Sequence, residues 1–213
     1  MPTSSPSVKR ARQQALDRRV IEPTRKDPAF DKLRASSTML VPGCGNLEAR
    51  IAIVGEAPGE HEDRSGVPWV GPAGALLSQF MEDAGLTREN CWMTNVVKYR
   101  PVDADGNNRR PSPQEAYSGR LYLKRELAVI GPELVVLCGR VAYNSVRPGR
   151  SVVRDRGSTF ATSSGRTYLV TLHPSACLQG PDEWTVLSRG DWRMVPRLLA
   201  QGALAATLSP AHG

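Results

Sequence analysis

The sequence predicts an α/β fold, a three-layer α/β/α domain around a central, mainly parallel sheet of four strands. Short runs such as IAIV (51–54), LVVLCG (134–139) and YLVTL (168–172) are apolar throughout, as strands covered on both faces must be. Segments of helical periodicity separate them, and alternating strands and helices argue for a parallel sheet. A chain of 213 residues fits one such domain with a full core and leaves room for tails.

Residues 1–27 are rich in Ser, Pro and Arg and weakly patterned, which predicts a basic, flexible N-terminal arm or a loosely docked helix. The domain itself is expected over 28–204, and 205–213 as a disordered tail. A short helix and the turn-rich PGCGN precede the first strand, IAIV, which ends in Gly55. ALLSQFMEDAGL (75–86) has apolar residues at helical spacing and stops at Gly85. CWMTNVVKY (91–99) gives a second strand, then breaks into the basic loop RPVDADGNNRRPSP (100–113). PQEAYSGRLYLKRELAVIG (113–131) is an amphipathic helix ended by Gly131 and Pro132. After LVVLCG and a short helix, residues 149–168 suggest a hairpin. YLVTL then runs into a His-Pro turn, and a helix over 189–202 closes the domain.

The formal charge is +7, with a sequence pI near 9.6. The excess lies in KRARQQALDRR (9–19), TRK (24–26), NNRR (107–110) and VRPGRSVVRDR (146–156). Such basic segments fit a polyanionic partner, nucleic acid before others, with a solvated basic surface as the plain alternative. No run is apolar enough to span a bilayer, and no signal-peptide core opens the chain. Cys44, Cys91, Cys138 and Cys177 have neither CxxC nor Cys/His ligand spacing, so they read as reduced thiols of a cytoplasmic protein.

In a parallel sheet ligands bind beyond the carboxyl ends of the strands, and three polar stretches fall there. These are GEAPG after IAIV, TN in the second strand and HPS after YLVTL. Glu56 is an acid one residue past a strand, Asn95 an amide in an apolar strand, and His173 a His at a strand end. Each has a structural alternative: a solvated turn acid, a satisfied core amide, a structural His-Pro turn. Trp69, in GVPWVG, on its own reads as core.

Together, GEAPGEHED (55–63), GVPWVGPAG (66–74), TNVVKYRP (94–101), GPELVVLCGRVA (131–142) and HPSACL (173–178) resemble the uracil-DNA glycosylase superfamily in order and spacing. The resemblance covers roughly residues 44–200 and is nearest to the family 4 branch. It implies a monofunctional enzyme of base excision repair that flips uracil out of DNA and hydrolyses its N-glycosidic bond. Trp69 stands where that family has a Phe that stacks on the base. Asn95 matches the Asn that reads the uracil edge, and His173 the His that donates toward uracil O2 as charge gathers there. Glu56 matches the acid that positions water or stabilises the cationic sugar. Ala57 stands where some relatives carry a water-activating Asp, so Glu56, or Glu62 with Asp63, would cover that role.

By the same resemblance Gly55, Ala57 and Glu62 line the base pocket, Glu62 walling off the C5 side. Pro58, Gly59 and Ser175 contact DNA, and Leu178 is a candidate wedge for the vacated space. Lys98, Arg100, Arg109 and Arg110 are expected on the DNA backbone. The basic loop lacks the His by which some relatives trap DNA covalently.

Family 4 enzymes hold a [4Fe–4S] cluster on four cysteines. Here Tyr99 replaces the Cys of VKCRP, the helix position falls near Gly119 or Arg120, and only Cys44 lies where a pair is expected. The expectation is therefore no metal and no cofactor, with apolar packing around Tyr99 and Tyr122 instead. The protein is expected to be a nucleoid-associated monomer without membrane contact. Two rivals stand beside this reading. One is a relative acting on hypoxanthine or xanthine, or binding DNA with little activity. The other is a doubly wound enzyme binding a nucleotide phosphate at GEAPG, against which no GK[ST] or GxGxxG follows a strand.

Overall fold

The computed structural model describes residues 5–208, with side chains up to Gln201. Its order is α1 (Pro6–Leu16), a π turn (Asp17–Ile21), α2 (Glu22–Lys26), a 3₁₀ turn (Pro28–Phe30), α3 (Asp31–Ser36), β1 (Cys44–Gly45), β2 (Ile51–Gly55), α4 (Glu60–Ser65) and α5 (Pro72–Asp83). A second 3₁₀ turn (Arg88–Asn90), β3 (Cys91–Asn95), α6 (Pro113–Ile130), β4 (Leu134–Cys138), α7 (Arg140–Val146) and α8 (Val152–Asp155) follow. The chain continues through β5 (Thr159–Ala161), β6 (Thr167–Thr171), α9 (Pro174–Gln179), α10 (Asp182–Trp192) and α11 (Val195–Leu208).

The sheet has six strands in the order β1-β3-β2-β4-β6-β5. The central four run parallel, and the short antiparallel β1 and β5 extend the expected four at either edge. Alternation along the strands divides the core. Ala52, Val54, Trp92, Val135, Leu137 and Val170 face α1, α6 and α7. Ile51, Ile53, Met93, Val136 and Leu169 face α5, α10 and the start of α11. Both faces are covered, which is why these strands read as continuous apolar runs.

Of the two expectations for the N-terminal segment, a flexible arm or a loosely docked helix, the structure has the helix. Leu16, Val20 and Thr24 recur every fourth residue on one helical face and are buried. Arg12 donates to the carbonyls of Leu47 and Ile130 at 2.6 and 3.0 Å, and the Tyr122 hydroxyl donates to Asp27 at 2.9 Å. The weak apolar pattern arises because arginine-to-carbonyl bonds share the docking with three small contacts. At the other end, α11 runs to Leu208 through part of the segment expected as a tail, and 209–213 lie outside the described residues.

Local chemistry sets the boundaries of the longest helix, α6. The Ser112 hydroxyl accepts the Glu115 N–H while Glu115 accepts the Ser112 N–H, and Gly131 closes the helix at φ 71°. Parallel pairing brings the ends of the central strands to one rim, with Gly55 opposite Asn95 and Cys138 opposite Thr171. Among the described residues, no helix is long and apolar enough to cross a membrane.

Candidate active site

The rim gathers residues from all four parallel strands. Gly55 ends β2, and a Cβ there would strike both the Asn95 carboxamide oxygen and the Trp69 ring. Glycine is therefore what lets the amide and the indole approach one point of backbone. Asn95 is 4 % exposed, and its carboxamide has no hydrogen-bond partner among the described residues. Its polar end is not sealed off, so the amide is open to a partner from outside. Trp69 is 5 % exposed, donates its indole N–H to the Thr94 carbonyl at 3.2 Å, and adopts φ 63°.

The indole stacks on the His173 imidazole, with ring centroids 5.1 Å apart and planes at 22°. His173 caps α9: its Nδ1 accepts the Ser175 backbone N–H at 3.2 Å and lies 2.7 Å from the Ser175 hydroxyl. A backbone N–H can only donate, so Nδ1 carries the lone pair and the neutral ring holds its proton on Nε2. Burial lowers the His173 pKa to about 4, against the opposing pull of Glu62. The ring is thus a neutral donor at physiological pH. Gly139 (φ 90°), at the end of β4, makes room for it, since a Cβ there would lie 2.8 Å from His173 Cβ.

The carboxylates of the preceding loop divide sharply. Glu56 is half-buried and has no side-chain hydrogen bond among the described residues. Burial raises its pKa, and Arg110 and then Arg140 oppose that shift. Glu62, expected at the C5 side of a base or on a water, instead accepts the N–H groups of Gly59, Val70 and Gly71 at 3.0, 2.8 and 2.7 Å. Asp63 accepts those of Thr38 and Met39. Both are loop clamps with their oxygens occupied, so Glu56 is the free carboxylate of this segment.

The expected DNA contacts separate in the same way. Lys98 is 1 % exposed and lies 2.6 Å from Glu126, with further bonds to the Thr94 hydroxyl and, at 2.7 Å, the Asn95 carbonyl. Enclosed beneath the rim, it cannot reach a phosphate, which corrects the expectation. Arg109 holds Glu115 with two bonds of 2.9 and 2.8 Å, and Arg100 holds Asn108 at 2.7 Å. Arg110 is exposed, with no side-chain bond among the described residues. Ser175 orients the imidazole through hydroxyl and amide. Pro58 is buried, Ala57 packs on the core, and the Gly59 amide is taken by Glu62. Leu178, on α9, is 54 % exposed.

Three site residues went unnoticed in the sequence. Gly139 and Arg140 sit at the mouth through the β4–α7 turn, and Arg88 donates to the carbonyls of Pro68 and Trp69. Only the Gly-Arg pair directly after LVVLC could have been picked out, as a strand-end turn like the others.

The residues do not fit the iron–sulfur cluster that the sequence resemblance implies. Tyr99 and Tyr122 each pack on Phe30 with ring centroids 6.1 Å apart, and Gly119 presses on the Val96 carbonyl. Cys44 is on β1, Cys91 opens β3, Cys138 ends β4 and Cys177 is on α9, so no four thiols converge. Among the described residues no group of three or more His, Cys, Asp or Glu could hold a metal ion.

The profile of the uracil DNA glycosylase superfamily matches residues 42–194. A type-4 uracil-DNA glycosylase of Thermotoga maritima is 38 % identical over 149 residues, 69 % of this chain and 76 % of that protein. One of Sulfurisphaera tokodaii is 36 % identical over 176 residues, 78 % of each chain. A type-5 uracil-DNA glycosylase of Thermus thermophilus is 28 % identical over 156 residues, 63 % of this chain and 68 % of that one. The matched span contains every element that contributes to the rim.

Proposed function

Since this chain belongs to the uracil DNA glycosylase superfamily, we propose that it removes uracil from DNA by hydrolysing the N-glycosidic bond and leaves an abasic site. The observation that carries this is the Asn95 carboxamide, on a buried residue yet unpartnered among the described residues and left accessible at its polar end, near a neutral His173 and an unpaired Glu56. One amide then offers a donor and an acceptor to the edge of an extruded base. Trp69 supplies the aromatic surface against which the base rests.

As the bond between C1′ and N1 breaks, its electron pair leaves with the base and charge collects on O2. The Nε2–H of His173 meets that charge, a contact stronger in the transition state than in the bound substrate. Neutrality suits the task, because the ring donates a hydrogen bond without giving up its proton. Glu56 faces the cationic sugar; water adds to C1′, and the carboxylate takes the proton that water loses. Arg110 and Arg140 hold phosphates at the mouth, and Leu178 fills the gap in the stack. The enzyme works as a monomer in the cytoplasm, at the nucleoid, without metal or organic cofactor. The aromatic packing around Tyr99 supports the absence of a cluster.

Labelled single- and double-stranded oligonucleotides carrying U, T opposite G, hypoxanthine or xanthine are incubated with the protein in EDTA and then cleaved with alkali. Strand breaks at uracil are expected, and their absence on every uracil substrate would overturn the activity. Breaks at hypoxanthine or xanthine alone would assign a different deaminated base. Iron near four atoms per chain would refute the cluster-free reading.

A further inference from the structure

Trp69 is the single non-glycine residue with positive φ among the described residues. For a bulky aromatic that conformation is strained, and it persists only where its surroundings over-determine it. Gly74 leaves room for the bent chain, since a Cβ there would collide with the Trp69 carbonyl. The indole N–H is tied to Thr94, and Glu62 fixes the next two amides, of Val70 and Gly71. Those contacts act on the ring and on the chain after residue 69.

The chain up to and including residue 69 is held by Arg88. One guanidinium nitrogen donates to the Trp69 carbonyl at 2.8 Å and the other to the Pro68 carbonyl at 2.7 Å. This half-buried guanidinium forms no ion pair among the described residues. Its fork engages two consecutive carbonyls, which fixes the direction of the peptide between them. Arg88 opens the 3₁₀ turn that feeds β3, the strand ending at Asn95. The aromatic wall and the amide are thereby braced to one rigid element, as a preorganised site requires.

We propose that Arg88 is a positioning residue for Trp69: its fork on the Pro68 and Trp69 carbonyls holds residue 69 in the left-handed conformation that lays the indole across Gly55 and against His173. This rests on Trp69 being the surface that receives the base.

A double-mutant cycle on kcat/KM with a single-stranded uracil oligonucleotide tests it, using wild type, Arg88→Gln, Trp69→Ala and the double variant. Arg88→Gln is expected to lower kcat/KM about tenfold in the wild-type background, the scale of one charge-assisted hydrogen bond. With Trp69→Ala there is no ring to position, and the same change should cost less than about twofold. Equal losses in both backgrounds would overturn the proposal and mark Arg88 as merely structural. If Trp69→Ala costs nothing, the base-stacking reading fails and the Arg88 inference fails with it. Should Arg88→Gln not fold, Arg88→Lys runs through the same cycle under the same criterion. A separate readout needs no turnover: the near-UV circular dichroism difference between wild type and Trp69→Phe isolates the indole at 69. That signal should weaken in an Arg88 variant, and if it is unchanged the clamp does not hold the ring, whatever the substrate proves to be.

Discussion

The loop between β2 and α5 carries carboxylates of the same chemistry in opposite circumstances. Glu56, at its start, has no hydrogen-bond partner among the described residues and feels the charges of Arg110 and Arg140 without pairing with either. Glu62, six positions on, has both oxygens occupied by backbone N–H groups from the two walls of the loop. Asp63 ties the same loop to residues 38 and 39. Glu62 and Asp63 also lie in the first turn of α4, where the helix dipole favours negative charge. The four acids of the segment are therefore one unpaired carboxylate, Glu56, one surface acid paired with Arg64, Glu60, and a pair of fasteners.

Exchange of the charged groups should separate the two roles. Glu56→Gln is expected to lower kcat about 10²- to 10³-fold, the cost of losing a group aimed at transition-state charge. Its urea-unfolding midpoint should match wild type. Glu62→Gln reverses the pattern: an amide facing backbone donors loses an acceptor, at about 1–3 kcal/mol of stability. Its kcat should fall far less than that of Glu56→Gln. A Glu62→Gln enzyme as slow as Glu56→Gln at full stability would return Glu62 to the chemistry.

Much of this was legible in the sequence, and what was not has a common cause. The strands were visible because burial on both faces makes them apolar throughout, and Glu56, Asn95 and His173 because each is polar where such a run ends. The fate of Glu62 was not visible, since its partners are backbone amides, which carry no residue signature. Lys98 looked like a phosphate contact because Glu126, its buried partner, lies 28 positions away on another element. For the N-terminal segment the sequence left a flexible arm and a loosely docked helix side by side, because Arg12 docks it through carbonyls and an arginine carries no burial signal. Residue type announces a site where local burial is the signal, and fails where a distant partner decides.

A subtler test of the same comparison is pH. Burial raises the Glu56 carboxyl, and the proposed role requires its ionised form, so kcat should fall as pH drops through that raised value. Removing a cation that opposes the shift, by Arg110→Gln or Arg140→Gln, should move this acid limb to higher pH. Glu62→Gln should leave the limb in place. His173 adds a separate effect on stability. Its pKa is held near 4 in the fold, whereas the unfolded chain binds that proton near pH ~6.5. Stability should fall as pH drops from the higher value through the lower one, because the unfolded state takes up the proton first. His173→Gln should flatten that part of the stability profile.

The smallest expected effect extends the comparison from acids to their basic neighbours. Arg109 and Arg110 are adjacent, yet Arg109 has both guanidinium nitrogens on Glu115 and its Nε on the Val102 carbonyl, whereas Arg110 is exposed and unpaired among the described residues. A cation already neutralised by a carboxylate releases few counterions from DNA, whereas a free one releases nearly its share. Arg110→Gln should therefore reduce the slope of log affinity against log salt by ~0.7 on single-stranded DNA, one phosphate's worth, without changing stability. Arg109→Gln should leave the slope nearly unchanged and destabilise the 100–113 loop, since it leaves Glu115 to cap α6 without its ion-pair partner. Equal slope changes for the two would mean that Arg109 abandons Glu115 when DNA arrives. The loop would then be a moving part of the interface rather than a fixed rim.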